Sequence, residues 1–189
     1  MATPNNGLAA VLYAPSEVQA KVGNGTLVRI EETTQYPFEE TIRFTVHTSS
    51  STEFPLLLRI PGWCHDAQIH VNGHEIKQAF SPRSFVEILR TWQDGDTVRL
   101  ELPMRIHLRT WEANKDSVTV DRGPLTYSLK IDERWERFGD SLDWPEWEVF
   151  PESPWNYGLV LDNDNPLDTF TVRKTTERPA YQPFQVDEA

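Results

Sequence analysis

Residues Leu56-Leu57-Leu58-Arg59-Ile60 make a nearly unbroken apolar run, stopped by Pro61-Gly62 and followed by Trp63-Cys64. A run of that kind suits a β-strand covered on both faces. Pro61 donates no ladder hydrogen bond and Gly62 admits a sharp turn, so the strand ends there. Trp63 falls just past the strand end, where its ring is expected to close one end of a sandwich. The neighbouring segments have a different texture. Ile42, Phe44 and Val46 alternate with Thr41, Arg43, Thr45 and His47, which predicts a strand with one wet face. Ile69 and Val71 alternate in the same way before Asn72-Gly73, a pair that turns a hairpin back on itself.

The remaining segments fit around this central strand. Leu8 to Tyr13 reads as a first strand. Glu17 to Val22 and Thr26 to Glu32 flank Gly23-Asn24-Gly25, a hairpin signal. Thr33 to Glu40 reads as a linker carrying Tyr36-Pro37-Phe38, and Ser49 to Thr52 as a polar loop. Phe85 to Leu89 is a strand, Trp92 with Asp94-Gly95-Asp96 a turn, and Val98, Leu100 and Leu102 share one face of the next strand. Short strands at this spacing, with 14 Pro and 9 Gly and few helical patterns, predict an all-β chain. The expectation is an antiparallel β-sandwich, jelly-roll-like, over residues 1–104. Residues 105–189 then form a second, partial β module or an extension. In that part Val118 and Val120 begin a strand, Arg122-Gly123-Pro124 interrupts it, and Leu125 to Ile131 resumes. From Asp132 aromatics and prolines crowd together without a clean period, and Glu177 to Phe184 is irregular.

Charge and composition exclude several functions. The formal net charge is −11, so a nucleic-acid partner is not expected, because phosphate binding needs a basic face. A neutral ligand such as a sugar is compatible with it. The single cysteine, Cys64, excludes an internal disulfide and a multi-cysteine metal site. Met1 to Asn6 lacks the basic start and apolar core of a signal peptide. No run approaches the roughly 20 apolar residues of a membrane helix, so no membrane partner is expected.

Side chains with catalytic potential are scattered. Cys64 has His65 beside it, but adjacency in sequence does not supply a base in space, and a small packing residue is the expected role. His65, His70 and His74 have ligand-like spacing, yet His70 and His74 straddle a turn and no further ligand is evident, so no metal is expected. Asp140, Asp143, Glu146 and Glu148 could pair as acid and base only if folded to ~5–9 Å, and they read as surface charge. Asp162-Asn163-Asp164-Asn165 resembles the start of a calcium loop but lacks its Gly and its distal Glu. The aromatic group Trp144, Trp147, Trp155 and Tyr157 is the binding candidate: flat rings stack on sugars and also bury well at protein interfaces.

Several strings in order carry a resemblance. They are Leu56 to Cys64, Val71-Asn72-Gly73, Trp92-Gln93-Asp94-Gly95-Asp96, Leu102-Pro103-Met104 and Arg122-Gly123-Pro124-Leu125-Thr126-Tyr127, with Tyr36-Pro37-Phe38 and Ser153 to Leu159 besides. The set resembles the β-L-arabinofuranosidase family, glycoside hydrolase family 127. The resemblance implies the β-sandwich region that follows a catalytic (α/α)6 barrel. The barrel carries that family's acid/base glutamate, nucleophilic cysteine and zinc ligands, so no catalytic residue, metal or cofactor is expected in this chain. Cys64 corresponds to a cysteine of the sandwich and not to the nucleophile. The implied partner is the barrel, which this region would support and whose entrance it would shape, with arabinose-containing glycans as a second partner class. A free-standing carbohydrate-binding module is the alternative. An open, ring-lined face would favour it, whereas buried rings or an apolar patch would favour docking.

Overall fold

In a computed structural model of the chain, residues 1–141, 143–162 and 164–173 are described. Glu177 to Phe184 and Asn163 of the calcium-like loop lie outside them. Two compact units divide the chain. The first holds Met1–Arg105 with Gly123–Leu125, and the second holds Ile106–Arg122 with 126–173.

The first unit is a sandwich. One sheet has six strands: β2 (Ser16–Val22), β3 (Thr26–Thr34), β4 (Thr41–Thr48), β9 (Thr97–Glu101), β6 (Gln68–Val71) and β7 (His74–Glu75), hydrogen-bonded in the order β2-β3-β4-β9-β6-β7. Every pairing in it is antiparallel. The other sheet has three strands, β1 (Leu8–Ala10), β5 (Thr52–Ile60) and β8 (Ser84–Trp92), in the order β1-β5-β8. Here β5 and β8 are antiparallel, but β1 lies parallel to β5, with Leu8 beside Leu56. The first strand is thus shorter than its apolar run and of the opposite sense from a meander.

Alternation puts one side of each strand into a single core. Val28 and Ile30 of β3, Ile42, Phe44 and Val46 of β4, Val98 and Leu100 of β9 and Ile69 of β6 face it from the six-stranded sheet. Phe54, Leu56, Leu58 and Ile60 of β5, with Val86, Ile88 and Trp92 of β8, face it from the other. Trp92 ends β8 and is fully buried, so it is a core residue and not part of the turn that follows. Its indole Nε1 donates to the Phe54 carbonyl at 3.0 Å, and the two rings lie 5.8 Å apart. The expected turn at Asn72-Gly73 forms with positive φ at both residues. Asn72 Nδ2 donates to Asp96 Oδ1 at 2.7 Å and its Oδ1 accepts from the Thr97 amide at 2.8 Å, so this turn is tied to the Asp94-Gly95-Asp96 turn.

The strand predicted to be covered on both faces is covered fully on one. Thr52, Phe54, Leu56, Leu58 and Ile60 are buried, whereas on the opposite side Leu57 and Arg59 are only partly buried and Glu53 is exposed. Pro55 is buried on that side because the chain crosses close over it at Gly7, where a Cβ would stand 2.3 Å from the Pro55 carbonyl oxygen. Trp63 is partly buried and packs against the core.

The second unit has a three-stranded sheet, β10 (Ile106–Trp111), β11 (Ser117–Arg122) and β12 (Leu125–Tyr127), and a separate hairpin, β13 (Glu133–Phe138) with β14 (Glu146–Pro151). β10 and both hairpin strands went unpredicted, and β12 is shorter than expected. Nothing among the described residues is an α-helix.

Burial separates the two tryptophans quantitatively. Trp92→Ala should cost about 3–5 kcal/mol by urea unfolding. Trp92→Phe should still cost about 1–3 kcal/mol, because it removes the buried indole N–H that donates to the Phe54 carbonyl. Trp63→Ala should cost clearly less than Trp92→Ala, and equal losses would mean that Trp63 is as much a core residue as Trp92.

Candidate binding surface

The reactive candidates are not brought together. Cys64 is fully buried, and burial pushes its thiol up from the ordinary range, away from the thiolate a nucleophile needs. His65 and His74 are exposed, and His74 Nδ1 sits 3.1 Å from the Asn72 carbonyl of its own turn. His70 lies on the outer side of β6 beside Arg99. Among the described residues no three His, Cys, Asp or Glu side chains converge as metal ligands. Asp140 and Asp143 are exposed in the β13–β14 connection, and Glu146 and Glu148 are exposed on β14, with Glu148 directly opposite Glu136. Asp162 spends its carboxylate on its own loop, accepting from the amides of Asp164 and Asn165 at 2.8 and 2.9 Å. Those two amides hold its carboxyl below the usual range.

The aromatic candidates divide among three places. Trp144 is 83% exposed in the hairpin connection. Trp147 projects from β14 and meets Trp135 of β13 edge to face, with centroids 6.4 Å apart and planes at 74°. Val149 stands opposite Trp135 on the same side of the hairpin, so that side is an exposed apolar stripe. Trp155 and Tyr157 help to line a cavity of about 480 Å³, together with Val118, Val120, Leu129 and Phe170. Sugar recognition asks for a flat ring beside converging polar groups. The rings on the hairpin stand perpendicular, and the cavity's lining carries polar groups from Tyr127, Ser128, Tyr157, Thr171 and Arg173 beside its apolar walls. Both places can bury apolar surface, and the cavity also offers polar side chains.

Two buried carboxylates escaped the sequence reading. Glu32 is 8% exposed and lines the smaller cavity, of about 290 Å³, between β1 and β2. The Ala14 amide donates to its Oε1 at 3.0 Å, and burial raises its pKa from 4.5 to about 7. Its signal was its phase, since it continues the inward row of Val28 and Ile30. In the second unit Asp121 is buried, accepting from Thr126 Oγ1 at 2.7 Å and pairing with Arg109 at 3.1 Å and His107 at 3.5 Å. Its Oδ1 is thus held by Thr126 and its Oδ2 by Arg109 and His107.

Comparison with known proteins adds a family to this geometry. The family described as Beta-L-arabinofuranosidase, GH127 middle domain, matches residues 7–104. A GH127 beta-L-arabinofuranosidase from Geobacillus stearothermophilus T6 is 29% identical with a TM-score of 0.60, over 84% of this chain and 29% of that one. A GH127 beta-arabinofuranosidase matches at 21% identity and a TM-score of 0.58, over 77% of this chain and 28% of that one. A further glycoside hydrolase matches at 21% identity and a TM-score of 0.57, over 82% and 30%. The chain therefore spans less than a third of each of these structures. No curated protein matches it.

Glu32 generates a pH prediction. Its folded pKa of about 7 stands above 4.5, so between those values the folded chain holds a proton that the unfolded chain has lost. The stabilisation is complete below the lower value and is lost as pH rises through the upper one. Glu32→Gln should leave stability near pH 4 unchanged and raise it near pH 8 by on the order of 2 kcal/mol. Urea midpoints at the two pH values test this. An unaltered pH slope in the variant would assign the titration to another group.

Proposed function

This chain belongs to the GH127 middle-domain family of beta-L-arabinofuranosidases, and from that premise we propose that it is a non-catalytic accessory region of such an enzyme, supporting a catalytic (α/α)6 barrel. The observation that carries the reading is the dispersal of chemistry. Cys64 is buried with its thiol raised, and the four carboxylates Asp140, Asp143, Glu146 and Glu148 are exposed around no cavity. General acid–base work needs such groups within reach of one bond, and among the described residues these do not converge. The division of labour follows the proposed boundary, with a sandwich over 1–104 and a second β module over 105–189.

The aromatic segment supports docking over sugar binding. A lone two-stranded hairpin is at best marginally stable in water, and β13–β14 exposes Trp135, Trp147 and Val149 on one side. Large rings left on a surface need a partner. In this proposal Trp144, Trp147, Trp155 and Tyr157 serve contact with the barrel. The exposed rings of Trp155 and Tyr157 at their cavity are what favours the rival reading, a carbohydrate-binding module for arabinose-containing glycans.

Two measurements test this. The purified chain, offered aryl arabinofuranosides and related aryl glycosides, should release no phenol above blank. Turnover abolished by substituting Cys64 or one of its carboxylates would sink the accessory reading. Amides from Asp132 to Leu159 should exchange faster than those of Leu56 to Ile60, and an added barrel domain should slow them. Protection by millimolar arabino-oligosaccharide, with no effect of the barrel, would replace docking by carbohydrate binding.

A further inference from the structure

The two outer faces of the sandwich differ in kind. The six-stranded sheet turns outward a polar surface laced by ion pairs, including Arg29–Glu17 at 2.7 Å and Arg99–Glu101 at 2.9 Å. Leu27 is its one large exposed apolar side chain on β3. The three-stranded sheet turns outward Leu57 of β5, which is partly buried, with Phe85 and Leu89 of β8, while Pro55 on the same side is covered by the chain at Gly7 and Arg59 stands opposite Phe85. Phe85 is 48% and Leu89 60% exposed. Leu57 lies diagonal to both Phe85 and Leu89, so the three make one stripe. The sequence of β5 has the pattern of a strand covered on both sides, and the fold covers one.

We infer that the Phe85–Leu57–Leu89 stripe is a docking face for an apolar ridge flanked by Lys or Arg, supplied by the part of a GH127 polypeptide outside this region. The inference rests on the accessory reading and adds the face and the chemistry of its occupant. Three observations select that occupant. Each similar structure is a longer chain, of which this one spans 28–30%, so most of such a polypeptide lies outside this region. Glu87 stands within the stripe, opposite Leu57, and Glu53 stands on the same face at its end, both exposed and without ion partners among the described residues, so an occupant carrying Lys or Arg fits. A second copy of this chain would set those carboxylates against their own kind, on a protein of net charge −11.

The test uses the whole chain and a designed 18-residue amphipathic helix of Leu and Lys, with a Leu/Glu helix of the same pattern as its counterpart. Amide shifts on titration locate the contact. The Leu/Lys helix should bind with a Kd of about 100 μM, moving the amides of Leu57 and of Phe85 to Leu89. Phe85→Ser with Leu89→Ser should weaken it at least tenfold, and Leu27→Ser should change it less than twofold. Glu53→Lys with Glu87→Lys, both at exposed positions that leave the core intact, should reverse the preference towards the Leu/Glu helix. Shifts confined to the Trp135–Trp147 hairpin, or equal binding of both helices, would overturn the inference. So would a concentration-dependent dimer that Leu89→Ser dissolves, since the occupant would then be a second copy. These failures leave the accessory reading standing, because that reading falls only to glycoside turnover or to sugar protection of the aromatic segment.

Discussion

Contact between the inner row of β5 and the inner rows of β4 and β9 is the interaction on which the first unit depends. Phe54, Leu56, Leu58 and Ile60 meet a wall built around Ile42, Phe44, Val46, Val98 and Leu100, all buried in one cluster. Each strand contributes through period-two alternation, so a slip of one residue in any pairing would turn its apolar set to water. The register is therefore pinned by the same side chains that supply the burial energy. The polar ties act at the rims. Asn72 bridges two turns through Asp96 and Thr97, and Trp92 fastens β8 to β5 through the Phe54 carbonyl. Those bonds are individually worth about 1 kcal/mol, so they fix geometry within a core whose stability comes from apolar burial.

A second consequence of that core is the behaviour of Glu32. Its place in the inward row of β3 commits it to the interior, and the Ala14 amide can satisfy only part of what the carboxylate loses on leaving water. Its raised pKa is the cost of continuing the apolar phase with an ionisable residue. Asp121 is buried in the second unit under different conditions. Arg109 and Thr126 stand against it, so its desolvation is offset by charge and hydrogen bonds.

Local pattern made much of this legible. Thr41 to Thr48, Gln68 to Val71 and the Asn72-Gly73 turn follow from alternation and turn chemistry, and the structure has them where those rules put them. β10 was not visible, because Ile106, Leu108 and Thr110 alternate with His107, Arg109 and Trp111 in too weak a contrast. The hairpin β13–β14 was hidden for a related reason: charges and rings occupy both of its sides, and every β13 residue is exposed. Trp92 was read as a turn residue because it precedes Gln93-Asp94-Gly95. Only the pairing of β8 with β5 shows that it belongs to the core row. The aromatic group looked like one site in sequence, yet a hairpin connection, a strand and a cavity wall each took a share of it.

The half-covered central strand constrains how its outer side can be completed. Fully burying a Phe or Leu side chain is worth about 1.5–3 kcal/mol, and Phe85 and Leu89 are already about half buried, so the stripe has only a few kcal/mol left to give. Bringing two free proteins together costs an estimated 4–15 kcal/mol before any contact is counted. A stripe of this size therefore cannot hold a separate partner tightly. Joined to its partner in one polypeptide, the same contact escapes most of that cost, because the second surface is already present at high effective concentration. A stripe of this size thus suits a partner held close to it better than one captured from solution.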